Sequence, residues 1–145
     1  MGHHQNDGKC EKCLEVMHKY AGFNAYLETW FKSFQSDHPE VHISCAGRGK
    51  DDQNKARASG ASRAGWLESA HNFNCAIDIF VILPGSQQIY PLAWFTNILA
   101  KRLTPFLKWY GDKKWGFYEL PHIEIADWRD LRAKGLVQNV ETPHI

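Results

Sequence analysis

The sequence predicts a single α+β domain in which a small antiparallel sheet is flanked by helices. At 145 residues, the chain has the length of one compact domain with its own core. One segment carries apolar residues at helical spacing, and several short apolar runs are bounded by turn residues, as strands are. No repeat, low-complexity tract or linker divides the sequence. We therefore predict one domain over residues 1–145, with a helical region at about 9–37 and a core at about 40–126.

The first predicted helix lies between residues 23 and 37. Its apolar residues follow an i, i+3, i+4, i+7, i+8, i+11 pattern, and they are Phe23, Tyr26, Leu27, Trp30, Phe31 and Phe34. The helix should end by His38, because a residue that precedes a proline disfavours the α region. We interpret this aromatic stripe as core packing.

The middle of the chain predicts a strand, a helix and a second strand. Residues 41–47 resemble a short strand that ends at a glycine. Residues 51–60 resemble a helix, with acidic residues in its first turn and a glycine stop. After an irregular stretch, residues 74–83 are apolar almost without interruption, which is typical of a buried central strand. Pro84 and Gly85 end this strand.

The last third predicts one interrupted helix and two strands. Apolar residues between positions 92 and 110 have helical spacing, and Pro105 should kink or interrupt that helix. Residues 115–128 then predict a strand, a break near Pro121 and a second strand at 122–125.

Composition excludes two classes of partner. The formal net charge is +1, whereas nucleic-acid-binding domains usually show a clear basic excess. No apolar stretch approaches the roughly 18 residues of a membrane-spanning helix, and the N-terminus has no apolar signal sequence. We therefore expect a monomer without nucleic acid or stable membrane insertion, made in the cytoplasm, where cysteines remain thiols.

Two of the four cysteines, Cys10 and Cys13, form a Cys-x-x-Cys motif. With His3, His4 or His18 they could form a small zinc site, or they could form a redox pair. No second Cys-x-x-Cys follows, and no thioredoxin-like βαβ pattern surrounds the motif. The sequence leaves its role open.

A lone carboxylate, Asp78, lies within the most apolar predicted strand. Burial of an unpaired carboxylate costs several kcal/mol, so Asp78 should have a partner. His71 precedes it by seven residues, which would place the two on opposite faces of an unbroken strand. The turn-prone residues 72–74 could reset the register, so that Asp78 and His71 converge with the distant His122. Such a set would suit a zinc ion, although Asp78 could instead pair with an arginine.

A second acidic residue, Glu119, precedes His122 by three positions. Pro121 prevents a regular strand here, so a bend could bring both side chains to one cavity. Glu119 could then act as general base and acid for a hydrolytic water. Glu124 lies two residues beyond His122, where its carboxylate could support that imidazole as a metal ligand or form a local salt bridge.

The pattern Ser69-x-His71-x6-Asp78, followed by Glu119-x-x-His122, resembles zinc peptidases that cut bacterial cell-wall peptides. This family contains D-Ala-D-Ala carboxypeptidases and dipeptidases and phage L-alanyl-D-glutamate endopeptidases. The resemblance covers about residues 40–126, the predicted catalytic core. The family pattern is SxHxxGxAxD and then ExxH or DxxH; the chain departs from it at position 74, where asparagine replaces the usual glycine.

The segment SCAGRGKDDQ is similar to the family's SGYRSxxxQ and places Arg48 and Gln53 on its arginine and glutamine. The tyrosine that precedes the arginine in the family is absent here. By this resemblance Arg48 stabilises the developing oxyanion or holds a substrate carboxylate. Gln53 and Ser69 are implied to bind substrate or to orient the site.

The same resemblance implies that His71, Asp78 and His122 bind Zn²⁺ and that Glu119 is the catalytic base. The implied activity is hydrolysis of an amide bond in the stem peptide of peptidoglycan. We expect a phage endolysin that accumulates in the bacterial host cytoplasm before lysis and then reaches the wall. The alternatives are a D-Ala-D-Ala carboxypeptidase or dipeptidase, a non-catalytic zinc-binding module on the same fold, and a redox or metal-carrier protein centred on the two N-terminal cysteines.

Overall fold

The computed structural model describes residues 10–116 and 118–142. Its four strands form one antiparallel sheet with the order β1-β2-β4-β3. The strands are β1 (Val41–Cys45), β2 (Ala76–Val81), β3 (Leu107–Trp109) and β4 (His122–Ile125). The α-helices are α1 (Glu11–Met17), α2 (Ala25–Asp37), α3 (Lys50–Ala58), α4 (Leu92–Asn97) and α5 (Trp128–Ala133). The predicted α+β fold with a small antiparallel sheet is confirmed.

Strand β2 lies in the middle of the sheet, as its continuous apolar sequence predicted. Ile77 and Ile79 are fully buried. The strand pairs with β1 on one side and with β4 on the other. In this register Asp78 lies opposite Cys45 of β1 and His122 of β4. Because cross-strand partners project from the same face of a sheet, the register alone brings a carboxylate, a thiol and an imidazole together.

Helix α2 packs an aromatic face into the core, as its periodicity predicted, although Tyr26 of that stripe is 41% exposed and Phe23 precedes the helix. The side chain of Asn24 caps it by accepting the Leu27 N–H at 2.9 Å. The helix ends at Asp37, two residues before Pro39. Phe31 and Phe34 are fully buried.

Truncation of this aromatic face should destabilise the whole domain. We expect Phe31→Ala to lower the free energy of unfolding by about 3–5 kcal/mol, because the substitution removes a fully buried ring and leaves a cavity. Ser33→Ala, on the exposed side of the same helix, should change it by less than about 0.5 kcal/mol. Urea denaturation followed by circular dichroism measures both values, and equal effects would contradict the assigned face.

The predicted interrupted helix over residues 92–110 is confirmed in its first part and in its interruption at Pro105, but the prediction is wrong beyond that proline. Helix α4 ends at Asn97, a 3₁₀ turn spans Leu99–Arg102, and β3 follows Pro105. Leu107 and Trp109 pair with β4, and both are buried. Phe106 and Tyr110, which continued the helical spacing, flank this strand, and Phe106 is exposed. The proline marks the point where the period changes from 3.6 to 2.

The strand predicted just before Pro121 is also wrong. Lys113–Trp115 form a 3₁₀ turn, and the described residues from 118 onward reach β4 through a tight turn in which the His122 N–H donates to Glu119 O at 3.3 Å. Strand β1 ends at Cys45 rather than Gly47, and a bulge interrupts its pairing between Ile43 and Cys45. Within residues 10–116 and 118–142, no helix has the length and apolar character needed to cross a membrane.

Candidate metal centre

Asp78 is the point at which the predicted site residues meet. Its Oδ1 lies 3.2 Å from His71 Nε2 and 3.2 Å from His122 Nδ1. Its Oδ2 lies 3.6 Å from Arg48 Nη2. The imidazole partners and the arginine partner, which the sequence offered as alternatives, are therefore both present around this carboxylate.

A short 3₁₀ helix, Ala70–Phe73, brings His71 to the same side as Asp78. Ser69 caps this turn, since its hydroxyl accepts the His71 N–H at 3.2 Å and forms a capping box with Asn72. Asn74 then adopts a left-handed conformation, with φ of 57°, before β2 begins. This break in the chain is the register reset that residues 72–74 suggested, and it gives Ser69 a capping role.

Each of the two imidazoles is oriented by a hydrogen bond at the ring nitrogen that faces away from Asp78. His71 Nδ1 lies 2.6 Å from Ala46 O, a carbonyl that can only accept, so Nδ1 carries the proton. His122 Nε2 lies 2.7 Å from Glu124 Oε1 and donates in the same way. In a neutral imidazole, the nitrogen facing Asp78 then carries a lone pair. These facing nitrogens are the ones available to a metal.

The cluster requires positive charge between its members. Asp78 Oδ1 faces a lone pair of each imidazole at 3.2 Å, and these pairs repel unless protons or a cation lie between them. Without a cation, burial lowers the pKa of His71, but the charges of Asp78 and Cys45 and the hydrogen bonds to them together outweigh burial and hold that pKa well above 6.5. Burial also lowers the pKa of His122, but the hydrogen bonds that its imidazole donates to Asp78 and Glu124, with the charge of Asp78, raise that pKa above 6.5.

The donor set fits zinc in chemistry, and the spacing fits for each imidazole taken with Asp78, although among the described residues no set of ligand atoms within 4.8 Å of one another contains both histidines. Zinc accepts imidazole nitrogen and carboxylate oxygen at about 2.0–2.2 Å, which in a tetrahedral site places two such donors about 3.3 Å apart. The two nitrogen–oxygen distances to Asp78 are 3.2 Å each. Ligand atoms within 4.8 Å of one another form two sets that share Asp78: one with Cys45 and His71, the other with Glu119 and His122. The predicted triad of His71, Asp78 and His122 is joined through that shared carboxylate.

Glu119 lies beside this centre because of the turn that precedes β4. Its N–H donates to Tyr110 O at 3.0 Å, and its Oε1 lies 3.6 Å from His122 Nδ1. Burial raises the pKa of the Glu119 carboxyl above its usual value, and its side chain keeps 28% of its exposure. A carboxylate that water can reach and that holds protons more readily than usual is suited to proton transfer.

Arg48 is fixed on the opposite side of Asp78. Its Nη1 donates to Gln53 Oε1 at 3.1 Å, and its Nη2 donates to Cys45 Sγ at 3.4 Å. Gln53 is fully buried, and its amide nitrogen donates to Ala64 O at 2.7 Å. A side chain enclosed in this way does not reach a substrate, so Gln53 orients the guanidinium of Arg48.

The two imidazoles, Glu119 and Arg48 line one cleft of about 130 Å³, whereas Asp78 and Gln53 are not among its lining residues. The cleft includes Arg48, Ser69, His71, Glu119, His122 and Glu124 from the predicted set. It also includes residues that the sequence analysis missed, notably Tyr110, Trp128 and Arg129. Cys45 was missed too, and its place opposite Asp78 follows only from the strand register.

Glu124 anchors His122 from behind. It is 3% exposed and accepts from Trp128 Nε1 at 2.9 Å and from the Tyr110 hydroxyl at 3.4 Å, as well as from His122. Carboxylates in this position orient a metal-binding imidazole and raise its basicity.

We expect Glu124→Gln to weaken metal affinity by about 10–100-fold, because the neutral amide supports the imidazole less well. Glu40→Gln is the matched control. Glu40 accepts a hydrogen bond from the Trp94 indole and lies beside the His38 imidazole, but it is outside the cleft. Competition titration with a chromophoric zinc chelator measures both affinities. An unchanged affinity in Glu124→Gln would contradict the anchoring role.

The fold resembles that of a solved peptidase. The crystal structure of the Serratia marcescens L-Ala D-Glu endopeptidase ChiX superposes with a TM-score of 0.62 at 17% sequence identity, and the match covers 83% of this chain and 90% of that one. No family model matches the sequence, and no curated protein matches it significantly. At this identity the likeness establishes a shared fold.

Proposed function

We propose that this protein is a zinc-dependent peptidoglycan peptidase that hydrolyses an amide bond in the stem peptide of the bacterial cell wall. The observation that carries the proposal is the convergence of His71 and His122 on Asp78 in a cleft that also holds Glu119 and Arg48. The fold shared with a solved L-Ala D-Glu endopeptidase supports the substrate class. His71, Asp78 and His122 would hold the zinc ion. When bound, zinc would supply a Lewis acid for the scissile carbonyl and lower the pKa of an attacking water.

Glu119 is the proposed general base. Its carboxylate lies next to His122, with Oε1 3.6 Å from the imidazole Nδ1, so a hydrolytic water in the cleft would come within its reach. Glu119 takes a proton from this water during attack and passes it to the leaving amine as the carbon–nitrogen bond breaks. Its raised pKa favours the first transfer, because a more basic carboxylate takes the proton more readily.

Arg48 is the proposed stabiliser of the oxyanion. Its side chain is 15% exposed, and its guanidinium donates hydrogen bonds to Gln53 and Cys45 that fix its orientation. A charged donor fixed before the reaction stabilises the negative charge that develops on the carbonyl oxygen more than it stabilises the neutral substrate.

Arg48→Ala should therefore lower kcat by about 10²–10³-fold and leave zinc content unchanged. Arg57→Ala is the control, because Arg57 is 62% exposed and lies outside the cleft. Steady-state kinetics and elemental analysis provide the two readouts. An effect on KM alone would instead assign Arg48 to anchoring a substrate carboxylate.

Two basic side chains in the cleft favour an acidic peptide. Arg63 and Arg129 both line it and are exposed, and stem peptides carry free carboxylates. The fold shared with a solved L-Ala D-Glu endopeptidase favours an endopeptidase of the L-alanyl-D-glutamate type, and we propose for it the role of a phage endolysin. A D-Ala-D-Ala carboxypeptidase or dipeptidase is the second candidate, since the same metal and base would serve either bond.

Product analysis tests the function and separates the candidates. We expect the zinc-loaded protein to solubilise intact sacculi, with new N-termini or C-termini inside the stem peptide identified by mass spectrometry. Cleavage of free D-Ala-D-Ala without release of wall fragments would favour the second candidate. Cleavage of neither substrate by protein with full zinc content would favour a non-catalytic module.

A further inference from the structure

A second cluster of metal-binding side chains lies at the junction of α1 and β1. Cys10 is the N-cap residue of α1, Cys13 lies in its first turn, and His42 is the second residue of β1. They are 2%, 1% and 0% exposed, respectively. One ligand atom from each lies within 4.8 Å of the other two. None of the three lines the cleft.

The two sulfur atoms accept hydrogen bonds from amide groups. Cys13 Sγ accepts the Ile43 N–H at 3.3 Å and Gln35 Nε2 at 3.5 Å. Cys10 Sγ accepts the Cys13 N–H at 3.3 Å. Burial raises the pKa of the Cys13 thiol to about 12, and the hydrogen bonds from Ile43 and Gln35 act against this rise. A thiolate is the form in which cysteine binds a metal, so a bound cation would displace the thiol proton.

The spacing of the donors also fits a tetrahedral zinc ion. Zinc binds thiolate at about 2.3 Å and imidazole at about 2.0–2.1 Å, which places sulfur and nitrogen about 3.6 Å apart. The distance between Cys13 Sγ and His42 Nδ1 is 3.8 Å. The loop and first helical turn that carry Cys10 and Cys13 therefore need to shift little to accommodate the ion.

We propose that Cys10, Cys13 and His42 bind a structural zinc ion that fastens α1 to β1. Two sulfurs and one nitrogen suit zinc better than the hard cations, which prefer oxygen, and structural sites of this kind have four ligands. A water molecule would complete the coordination; His3 and His4, which the sequence analysis considered with this motif, lie outside the described residues. The proposal is independent of the proposed function, because the two centres share no residue.

Two earlier alternatives for the Cys-x-x-Cys motif fit less well. His18, one of the three histidines considered with it, is 53% exposed and bonds to Glu28 at 2.7 Å, while the histidine within reach of the sulfurs is His42. A redox pair must be accessible to a partner thiol or disulfide. Cys10 and Cys13 are both buried, so a partner could not approach them.

Cobalt substitution and metal counting on the full chain test the proposal. Thiolate bound to Co²⁺ gives an intense sulfur-to-metal charge-transfer band, whereas the proposed set of His71, Asp78 and His122 contains no sulfur. We expect two zinc equivalents per chain and this band in the cobalt protein. Cys10→Ser/Cys13→Ser should lose the band and one equivalent, and His71→Ala should lose one equivalent and keep the band.

The matched control removes the remaining two cysteines. Cys45→Ser/Cys75→Ser should keep the band, which excludes Cys45, the thiol near Asp78, as its source. This variant tests the proposal even if Cys10→Ser/Cys13→Ser does not fold. Loss of the band in Cys45→Ser/Cys75→Ser, its persistence in Cys10→Ser/Cys13→Ser, or a wild-type protein that binds one equivalent without the band would each overturn the second site. The last result would leave the proposed function intact.

Discussion

Glu119→Gln is expected to reduce kcat by about 10²–10⁴-fold while the protein keeps its fold and its zinc. Glutamine preserves the size of the side chain and one oxygen near His122, but it cannot accept a proton from the hydrolytic water. The loss should appear in kcat and kcat/KM alike, because proton transfer occurs in the transition state and not in substrate binding. Turbidity loss of purified sacculi gives the rate, and elemental analysis gives the zinc content.

Glu68→Gln is the matched control for this prediction. Glu68 also lines the cleft, but its side chain is 64% exposed, and its Oε1 accepts the Gly65 N–H at 2.7 Å. It should retain nearly full turnover. If Glu119→Gln turned over at the wild-type rate, the base would have to be another group.

His122→Ala is expected to abolish hydrolysis together with zinc binding at the cleft. The substitution removes one donor and leaves two carboxylates, Asp78 and Glu124, without the imidazole that both contact. Removing one partner of a buried charged cluster commonly costs about 3–5 kcal/mol, so this variant should also be less stable than the wild type. His71→Ala should give the same loss of zinc and activity.

His18→Ala provides the control for the histidine variants, since this side chain is 53% exposed and bonds to Glu28 outside the cleft. It should keep wild-type zinc content and activity. Elemental analysis after dialysis, paired with circular dichroism on the same samples, separates loss of metal from loss of fold. Folded His71→Ala protein that retained every zinc equivalent would contradict its assignment as a ligand.

Local sequence determined the elements that could be predicted. Helix α2 has a single continuous period and a capping asparagine, and β2 is apolar enough that only a central position in the sheet suits it. The strand β3 could not be predicted, because its pairing with β4 is formed by residues more than ten positions away, and Leu107 and Trp109 also fit a helical pattern.

The sequence predicted which side chains meet at Asp78, but not the contacts that hold the surrounding residues in place. A carboxylate in an apolar strand demands a partner, and this requirement pointed to His71 and His122 from sequence alone. The burial of Gln53 behind Arg48 depends on the packing of α3 against the segment around Ala64, which no local pattern encodes. His42 likewise reaches Cys13 across 29 positions of sequence, and a strand histidine carries no signal of that contact.

Whether His71, Asp78 and His122 bind one zinc ion can be observed by crystallography of the zinc-loaded protein, with diffraction data collected on both sides of the zinc absorption edge. We expect an anomalous difference peak in the cleft within about 2.0–2.2 Å of His71 Nε2, His122 Nδ1 and a carboxylate oxygen of Asp78. Crystals with full zinc content and no peak within bonding distance of these three residues would show that they are not the zinc ligands.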